Sequence, residues 1–212
     1  MVSIGGREYS YSLTEIEYPH IDSQVNFPEA ALRLVPLNAK AAPKKLGYIM
    51  GSGDDIPEIL KDMGYDAVIL DDDMLTAETL SGFDVIVAGI RAYNTRERLK
   101  FAQPLLMDFV KNGGTYVVQY NVNTGLQTTE IGPYPFRVGR DRIVEEDAEL
   151  RFMTPPHPLL NTPNAITKDD FAGWVQERGL YFTDQWDARY TPILAGHDGR
   201  AVYHMGVDKI MM

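Results

Sequence analysis

The stretch Leu46–Leu70, LGYIMGSGDDIPEILKDMGYDAVIL, decides the fold class of this chain. The apolar run LGYIM comes first and is followed by a glycine turn. A short helical pattern then starts at Asp55 and leads to a second apolar run, AVIL. Pro57 is typical of a first helical turn, and Gly64 is typical of a helix end. A strand, a helix and a strand in this order predict a parallel βαβ unit with a right-handed crossover.

Two more units of the same kind follow downstream. Apolar runs at 84–88 (DVIVA) and 115–119 (TYVVQ) predict a third and a fourth strand. Residues 76–81 predict a short helix, and apolar residues at helical spacing predict a longer helix after Thr95. Pro104 should kink or restart that longer helix, because proline has no backbone N–H to donate. The alternation predicts an α/β fold with a parallel sheet and helices on both of its faces.

The segment before these units has a different pattern. Residues 1–37 carry alternating tyrosines, such as Tyr9 and Tyr11, and predict two or three strands at the end of a preceding β domain. Residues 38–45 are typical of a linker, so we expect the α/β domain to span residues 46–212.

The alternation breaks after the fourth strand. Residues 121–135 are polar and glycine-rich and predict a loop, and Thr167 with Asp170 indicates the start of a helix. The remaining predicted elements are strands at 180–182, 193–195 and 201–204, and a hairpin turn at 197–200.

Composition excludes several classes of function. The 212 residues include 44% hydrophobic ones, carry a net charge of -10 and contain no cysteine. The acidic balance argues against a nucleic-acid binder, because phosphate contacts need clustered lysine and arginine. The lack of cysteine excludes disulfides, thiolate metal sites and cysteine nucleophiles. No apolar run approaches the roughly 18 residues of a transmembrane helix, so no membrane insertion is expected.

Polar side chains are concentrated after the predicted strands. Ligands of an open parallel sheet bind outside the carboxyl ends of its strands, and here those ends lead into the loops GSGDD, DDD, GIRAYN and YNVNT. The predicted ligand-binding residues are therefore Ser52, Asp54, Arg91, Tyr93, Asn94, Tyr120, Asn121 and Asn123, with His157 at the rim.

The two acidic loops each allow two interpretations. The loop 51–55 could cradle a phosphate at a helix N-terminus, but its carboxylates would repel an anion, and a helix cap at Asp55 is the simpler interpretation. The run 71–73 could hold Mg²⁺ through carboxylate oxygens, although a solvated turn explains the same residues. We therefore predict no cofactor and no metal site.

The loop after the third strand is the more informative one. The guanidinium of Arg91 suits a carboxylate or a phosphate, and Tyr93 could stack on a sugar; the alternative for Arg91 is a surface ion pair. Doubly wound hydrolases and amidotransferases place their nucleophile after the fourth strand. Tyr120 and Asn121 stand there, and neither is an activated nucleophile.

Histidine and tryptophan give weaker signals. Metal-site spacing is absent from the four histidines, which are His20, His157, His197 and His204. The prolines of PPHPLLN fix the backbone around His157, which could act as an acid or base or could only shape a turn. Trp174 and Trp186 indicate packing rather than sugar platforms.

Four longer stretches within residues 46–182 carry a family resemblance: LGYIMGSGDDIPEIL, DVIVAGIRAYN, GGTYVVQYNVNT and HPLLNTPNAITKDDFAGWVQERGLYF. They resemble the C-terminal domain of large bacterial proteins of the LmbE/PIG-L (N-acetylglucosaminyl deacetylase-like) family. The resemblance implies a class I glutamine amidotransferase-like domain, flavodoxin-like in outline, in an extracytoplasmic protein with a deacetylase or β-sandwich partner domain. It also implies that a closing strand and helix are missing or altered after Tyr203, so that the domain is incomplete at its C-terminal end.

The deacetylase chemistry of that family carries over to no residue of this chain. It belongs to a separate domain with a His-Pro-Asp-Asp zinc motif, whereas His157-Pro158 is followed here by two leucines.

The sequence therefore favours a non-catalytic amidotransferase-like accessory domain that binds a carbohydrate or a partner domain at the strand-end crevice. One alternative is a glycan hydrolase with Asp54 as its base and His157 as its acid. Another is a structural module that packs on a deacetylase domain and exposes an apolar patch.

Overall fold

The computed structural model describes residues 2–31, 39–42, 44–143, 145, 148–153, 156–173, 179–196 and 209–211. The chain divides into two units, Met1–Asn38 and Ala39–Met212.

The first unit consists of two β-hairpins. Strand β1 (Val2–Ile4) pairs with β2 (Arg7–Tyr9), and β3 (Thr14–Tyr18) pairs with β4 (Ile21–Asn26), both antiparallel. None of the described side chains from residue 3 to residue 31 is buried. The segment thus forms four short strands rather than the two or three that the sequence predicts.

The second unit contains a parallel sheet of four strands. These are β5 (Lys45–Ile49), β6 (Asp66–Ile69), β7 (Val85–Ala88) and β8 (Thr115–Val118), in the spatial order β6-β5-β7-β8. All three neighbouring pairs are parallel. The order places the second strand beside the first and the third on the first strand's other side, as in flavodoxin-like folds. The predicted fold class is confirmed.

Short helices join these strands: α1 (Ile56–Asp62), α2 (Ala77–Leu80), α3 (Ala92–Thr95) and α4 (Leu99–Lys111). Helix α4 continues past Pro104, so the predicted restart is wrong. Pro104 is exposed, and water can therefore solvate the carbonyl that loses its partner. Each helix of the described residues is too short or too polar to cross a membrane.

Apolar residues are buried on both faces of the parallel sheet. On one face, Ile49 and Ile86 pack with α4, whose buried residues recur every three or four positions. On the other face, Tyr48 and Val87 pack with partly buried residues of α1. Because side chains alternate along a strand, neighbouring residues of β5 and β7 supply both cores.

Antiparallel strands make up much of the rest of the second unit. Strands β9 (Phe136–Val138), β11 (Leu150–Phe152), β13 (Thr183–Trp186), β14 (Leu194–Gly196) and β15 (Lys209–Met211) form one sheet, and β10 (Arg142–Ile143) pairs with β12 (Gly179–Leu180). The strand predicted at 193–195 is present as β14. Of the strand predicted at 180–182, only Leu180 lies in a strand, at the end of β12, and residues 181–182 connect β12 to β13. The elements predicted at 197–200 and 201–204 lie outside the described residues.

The predicted helix start at Thr167 is confirmed in a shorter form. A single 3-10 turn, Lys168–Phe171, follows it. Thr167 and Asp170 form a capping box in which each side chain accepts a hydrogen bond from the backbone of the other end of the turn.

Candidate functional site

The predicted crevice lies between the carboxyl ends of β5 and β7, and there the two loops contact each other. Ser52 N donates to the carbonyl of Ile90 at 2.9 Å, and Ser52 Oγ donates to the same oxygen at 3.2 Å. A Cβ atom on Gly51 would lie 2.0 Å from that carbonyl oxygen. Only glycine allows this approach, so at this point the backbone of the two loops fills the space between the strand ends.

Asp54 is engaged in the interior of this loop. Its two carboxylate oxygens lie 2.8 and 3.0 Å from the Tyr48 hydroxyl, which donates to them, and one also accepts from Ile56 N at 3.0 Å. Asp55, which the sequence favours as the cap of α1, makes no side-chain cap bond; Asp54 takes that role. Burial, together with the hydrogen bond and charge of Asp54, raises the pKa of Tyr48 well above its usual range.

Tyr93 is buried, contrary to the expectation that it could stack on a sugar. Its side chain is 0% exposed. Its hydroxyl donates to Gln103 Oε1 and lies 2.7 Å from the Tyr116 hydroxyl. Helix α3 begins at Ala92, and this turn of helix carries the Tyr93 ring into the core.

Two predicted asparagines hold loops together. Asn94 donates to the carbonyls of Val122 and Thr124 and accepts from Val122 N, each at 3.0 Å. Asn121 accepts from Tyr93 N at 3.1 Å and donates to the carbonyl of Gln119 at 2.8 Å. These side-chain amides form hydrogen bonds with backbone N–H and C=O groups that have no partner within a strand or helix.

Other predicted residues remain accessible. Arg91 is exposed, and its guanidinium makes no ion pair or hydrogen bond within the described chain. Its backbone is left-handed (φ 59°), and its N–H donates to the carbonyl of Tyr120 at 2.7 Å. Asn123 is partly exposed.

The acidic run 71–73 supports an ion pair. Asp72 accepts from Arg96 at 2.7 Å. Within the described part of the chain, no three histidine, aspartate or glutamate side chains come together as a metal site would require.

His157 caps a short turn. Its Nδ1 accepts from Leu159 N at 3.3 Å at the start of the 3-10 turn Pro158–Leu160. No hydrogen bond or ion pair of the described residues joins it to Asp54. His20 lies in the turn between β3 and β4 with its ring 5.8 Å from that of Tyr18, and His197, His204 and Trp174 lie outside the described residues.

A cavity of about 630 Å³ opens on the other side of β8. Tyr116, Val118 and Tyr120, at alternate positions of β8 and just beyond it, form one wall together with α4. The rest of the described wall is formed by residues 179–183, by Tyr190, and by five residues of the segment before and within β9: Ile131, Gly132, Pro133, Phe136 and Val138. The volume is in the range of roughly 300–1,000 Å³ that is typical of small-molecule sites.

The cavity is aromatic and uncharged. Its described lining holds four tyrosines and two phenylalanines and no aspartate, glutamate, lysine, arginine, histidine or serine. Tyr120 and Tyr181 form a tilted pair, with ring centroids 6.1 Å apart. The backbone of Tyr181 is in the left-handed conformation (φ 57°). The backbone of Arg91 is also left-handed, and its N–H donates to the Tyr120 carbonyl. The two left-handed non-glycine residues of the described chain thus both contact Tyr120.

Charged side chains support the wall from behind. Arg189 lies 3.6 Å from the centre of the Tyr134 ring and pairs with Asp187. Hydrogen bonds from Arg189 lower the pKa of Asp187 to about 2. The Tyr190 hydroxyl donates to the carbonyl of Tyr134 at 2.7 Å. This cluster fixes the position of Tyr190 in the cavity wall.

Sequence reasoning found part of this site. The sequence predicts Tyr120 and Asn121 in a binding site, and both line the cavity. It gives no prediction for Gln119, for Tyr181 or for the lining residues between Ile131 and Val138. The alternation of Tyr116, Val118 and Tyr120 along one face of a strand is the signal that could have indicated a tyrosine-rich wall.

Comparisons with known proteins find a distant structural similarity. The chain matches no family model, and no curated protein matches it. Among solved structures it is similar to a ThuA-like protein from Bacteroides uniformis, with 16% identity and a TM-score of 0.41 over 84% of this chain and 77% of that one. The comparisons do not support the LmbE/PIG-L resemblance, which stays a prediction. The α/β, flavodoxin-like class of this chain stands on its own strand order.

Proposed function

We propose that this chain is a non-catalytic, amidotransferase-like domain that binds an uncharged carbohydrate in the tyrosine-lined cavity beside β8. The observation that carries the proposal is the uncharged aromatic lining of a cavity of about 630 Å³. Apolar pockets with a few polar groups are the usual form of small-molecule sites.

The chemistry of the wall favours a sugar without a charge. A sugar ring has an apolar face that can lie against the Tyr120–Tyr181 pair, and hydroxyls that can bond to Gln119 and Tyr116. A carboxylate, phosphate or ammonium group would lose its hydration without gaining a partner of opposite charge among the described lining residues.

The same lining argues for binding without catalysis. Thr183 supplies a hydroxyl, but the described wall holds no histidine or carboxylate that could act as its base. The glycan hydrolase with Asp54 and His157 remains a prediction. A bell-shaped pH–rate profile lost in Asp54→Asn would support it.

A second candidate function is packing against a partner domain. Large apolar side chains of the hairpin unit are exposed, with Tyr11, Leu13 and Phe27 at 66%, 63% and 60%. The LmbE/PIG-L resemblance implies that the partner is a deacetylase or β-sandwich domain. The double variant Tyr11→Ser, Phe27→Ser should then no longer co-purify with that domain and should bind saccharide as the unchanged chain does.

Titration with neutral and charged oligosaccharides tests the carbohydrate proposal. We expect N-acetylglucosamine oligomers, which are neutral, to raise the melting temperature, and glucosamine oligomers, which are cationic, to have no effect. A saccharide present at 100 times its Kd should raise the free energy of unfolding by about 2.7 kcal/mol.

Variants at the cavity mouth locate the binding. Tyr120→Ala and Tyr181→Ala should each weaken binding about tenfold, since each removes one ring and a tenfold loss is about 1.4 kcal/mol. Tyr9→Ala, an exposed tyrosine of the hairpin unit, is the matched control and should bind as the unchanged chain does. Equal binding of neutral and cationic sugars, or no response from a chain that melts cooperatively, would contradict the proposal.

A further inference from the structure

A chain of buried hydrogen bonds ends at the cavity wall, and its direction can be assigned. Gln103 of α4 is 5% exposed, and its Nε2 donates to the carbonyl of Ile131 at 3.0 Å. A carbonyl oxygen can only accept, so this bond fixes which end of the Gln103 amide carries the nitrogen. The amide oxygen must therefore face Tyr93.

The rest of the chain follows from proton counting. An amide oxygen has no proton, so Tyr93 donates its single hydroxyl proton to Gln103 Oε1. The Tyr93 and Tyr116 hydroxyl oxygens lie 2.7 Å apart. Since the Tyr93 proton is already engaged, Tyr116 is the donor in this second bond.

Tyr116 is the member of this series that lines the cavity. Tyr93 and Gln103 lie behind it and are not part of the described lining. Burial raises the pKa of both tyrosines, so both hydroxyls stay protonated at neutral pH. The hydroxyl proton of Tyr116 thus points to Tyr93, and the Tyr116 oxygen can only accept a further hydrogen bond.

We propose that Tyr116 is a specificity-determining residue of the cavity, which accepts a hydrogen bond from a hydroxyl or N–H group of the ligand. A ligand that presents only an ether or carbonyl oxygen to this wall places two acceptors against each other and is disfavoured. The inference rests on the cavity being the ligand site, and it deepens that proposal by giving the ligand's polar group a direction. It holds for any uncharged donor, sugar or not.

Two matched probes test the direction without depending on sugar recognition. 2-Naphthol and 2-methoxynaphthalene share a flat apolar ring system and differ in one hydroxyl donor. We expect the unchanged chain to bind the alcohol about fivefold more tightly than the ether, as one net hydrogen bond allows. The measurement is the ratio of the two dissociation constants by fluorescence titration.

Variants of the series separate a directed acceptor from general polarity. Tyr116→Phe removes the acceptor, so the ratio should fall to about one. Tyr93→Phe keeps Tyr116 but frees its proton for the ligand, so the ether should gain relative to the alcohol. Tyr9→Phe removes an exposed hydroxyl in the hairpin unit, outside the cavity, and should leave the ratio at its original value.

Each outcome decides the inference. An equal affinity of the unchanged chain for both probes, no binding of either probe, or a ratio that survives Tyr116→Phe would overturn it. If Tyr116→Phe does not fold, the ratio in the unchanged chain and its shift in Tyr93→Phe give the answer. Selective naphthol binding without any saccharide binding would reject the carbohydrate proposal and leave the role of Tyr116 standing.

Discussion

The crevice between β5 and β7 and the cavity beside β8 both lie at strand ends of the parallel sheet, yet their side chains do different things. In the crevice, Ser52 donates to the carbonyl of Ile90 in the facing loop, and Asp54 accepts from the Tyr48 hydroxyl and from the backbone of Ile56. In the cavity, tyrosine rings face open space. The difference teaches that a strand-end loop rich in polar residues is not by itself a site, because those residues can be engaged by the neighbouring backbone and side chains.

The position of each strand explains the difference. β5 and β7 lie in the interior of the parallel sheet, and short loops converge where they end. β8 is the last strand of that sheet among the described residues, and the antiparallel strands next to it belong to another sheet. Because β8 forms no strand pairing with the antiparallel sheet among the described residues, a gap remains between the two sheets, and aromatic side chains line it.

The largest expected effect comes from opening the crevice. Gly51→Ala would place a Cβ atom 2.0 Å from the Ile90 carbonyl oxygen, which belongs to the backbone and cannot rotate away. We expect the free energy of unfolding to fall by about 3 kcal/mol, measured by urea denaturation.

Ser52→Ala is the matched control for this change. It removes one exposed hydroxyl bond to the same carbonyl and should cost about 1 kcal/mol or less. A loss below 1 kcal/mol in Gly51→Ala would mean that the two loops separate easily. The crevice would then be an openable site, and the comparison with the cavity would fail.

The next effect tests the asparagines. Asn94→Ala deletes three hydrogen bonds to the backbone of residues 122–124 and should lower the free energy of unfolding by about 2 kcal/mol. Asn123→Ala, at a partly exposed neighbour, should change it by less than about 0.5 kcal/mol. If both variants instead lost little stability and both lost saccharide binding, the two amides would be ligand-binding residues rather than structural ones.

Alkaline pH should weaken the fold through its buried tyrosines. Burial raises the pKa of Tyr48, Tyr93 and Tyr116, so the folded chain keeps protons that the unfolded chain releases near pH 10. This contribution to stability is complete below pH 10 and is lost as the pH rises towards the raised pKa values of the folded state. Each such tyrosine contributes a slope of about 1.4 kcal/mol per pH unit above pH 10.

Tyr93→Phe isolates one of these groups. The slope of unfolding free energy against pH above 10 should decrease by about 1.4 kcal/mol per unit, measured by urea denaturation at a series of pH values. Tyr9→Phe, at an exposed position, should leave the slope unchanged. An unchanged slope in Tyr93→Phe would mean that its hydroxyl ionises as readily in the folded chain as in the unfolded one.

The parallel half of the fold could be predicted because its signals are local. Runs such as AVIL and DVIVA are long enough and apolar enough to indicate buried strands, and Gly64 and Pro57 mark the helix between the first two. Strand order then follows from the handedness of βαβ units and from the few topologies they allow.

The cavity could not be predicted in this way, because its walls are distant in sequence. β9 pairs with β13 across more than forty residues, and each strand has only three or four residues, too few for a clear pattern. Tyr93 was misplaced for a related reason. Its loop position is visible in the sequence, but the buried Gln103 partner that draws it inward is not.

The smallest expected effect concerns Arg91, the cation that the sequence singles out. Arg91→Ala should change the free energy of unfolding by less than about 0.5 kcal/mol, because the guanidinium has no partner in the described chain. It should change the affinity for neutral saccharides by less than about twofold, since the described cavity wall is uncharged and needs no cation.

An anionic sugar makes this last test decisive between the two regions. Glucuronic acid oligomers that bind the unchanged chain, lose affinity in Arg91→Ala but keep it in Arg91→Lys, and are insensitive to Tyr120→Ala would place the ligand at the crevice. Neutral oligomers with the opposite dependence, on Tyr120 and not on Arg91, would place it in the cavity. Because Arg91 N bonds the Tyr120 carbonyl, only side-chain substitutions that keep this backbone bond can separate the two regions.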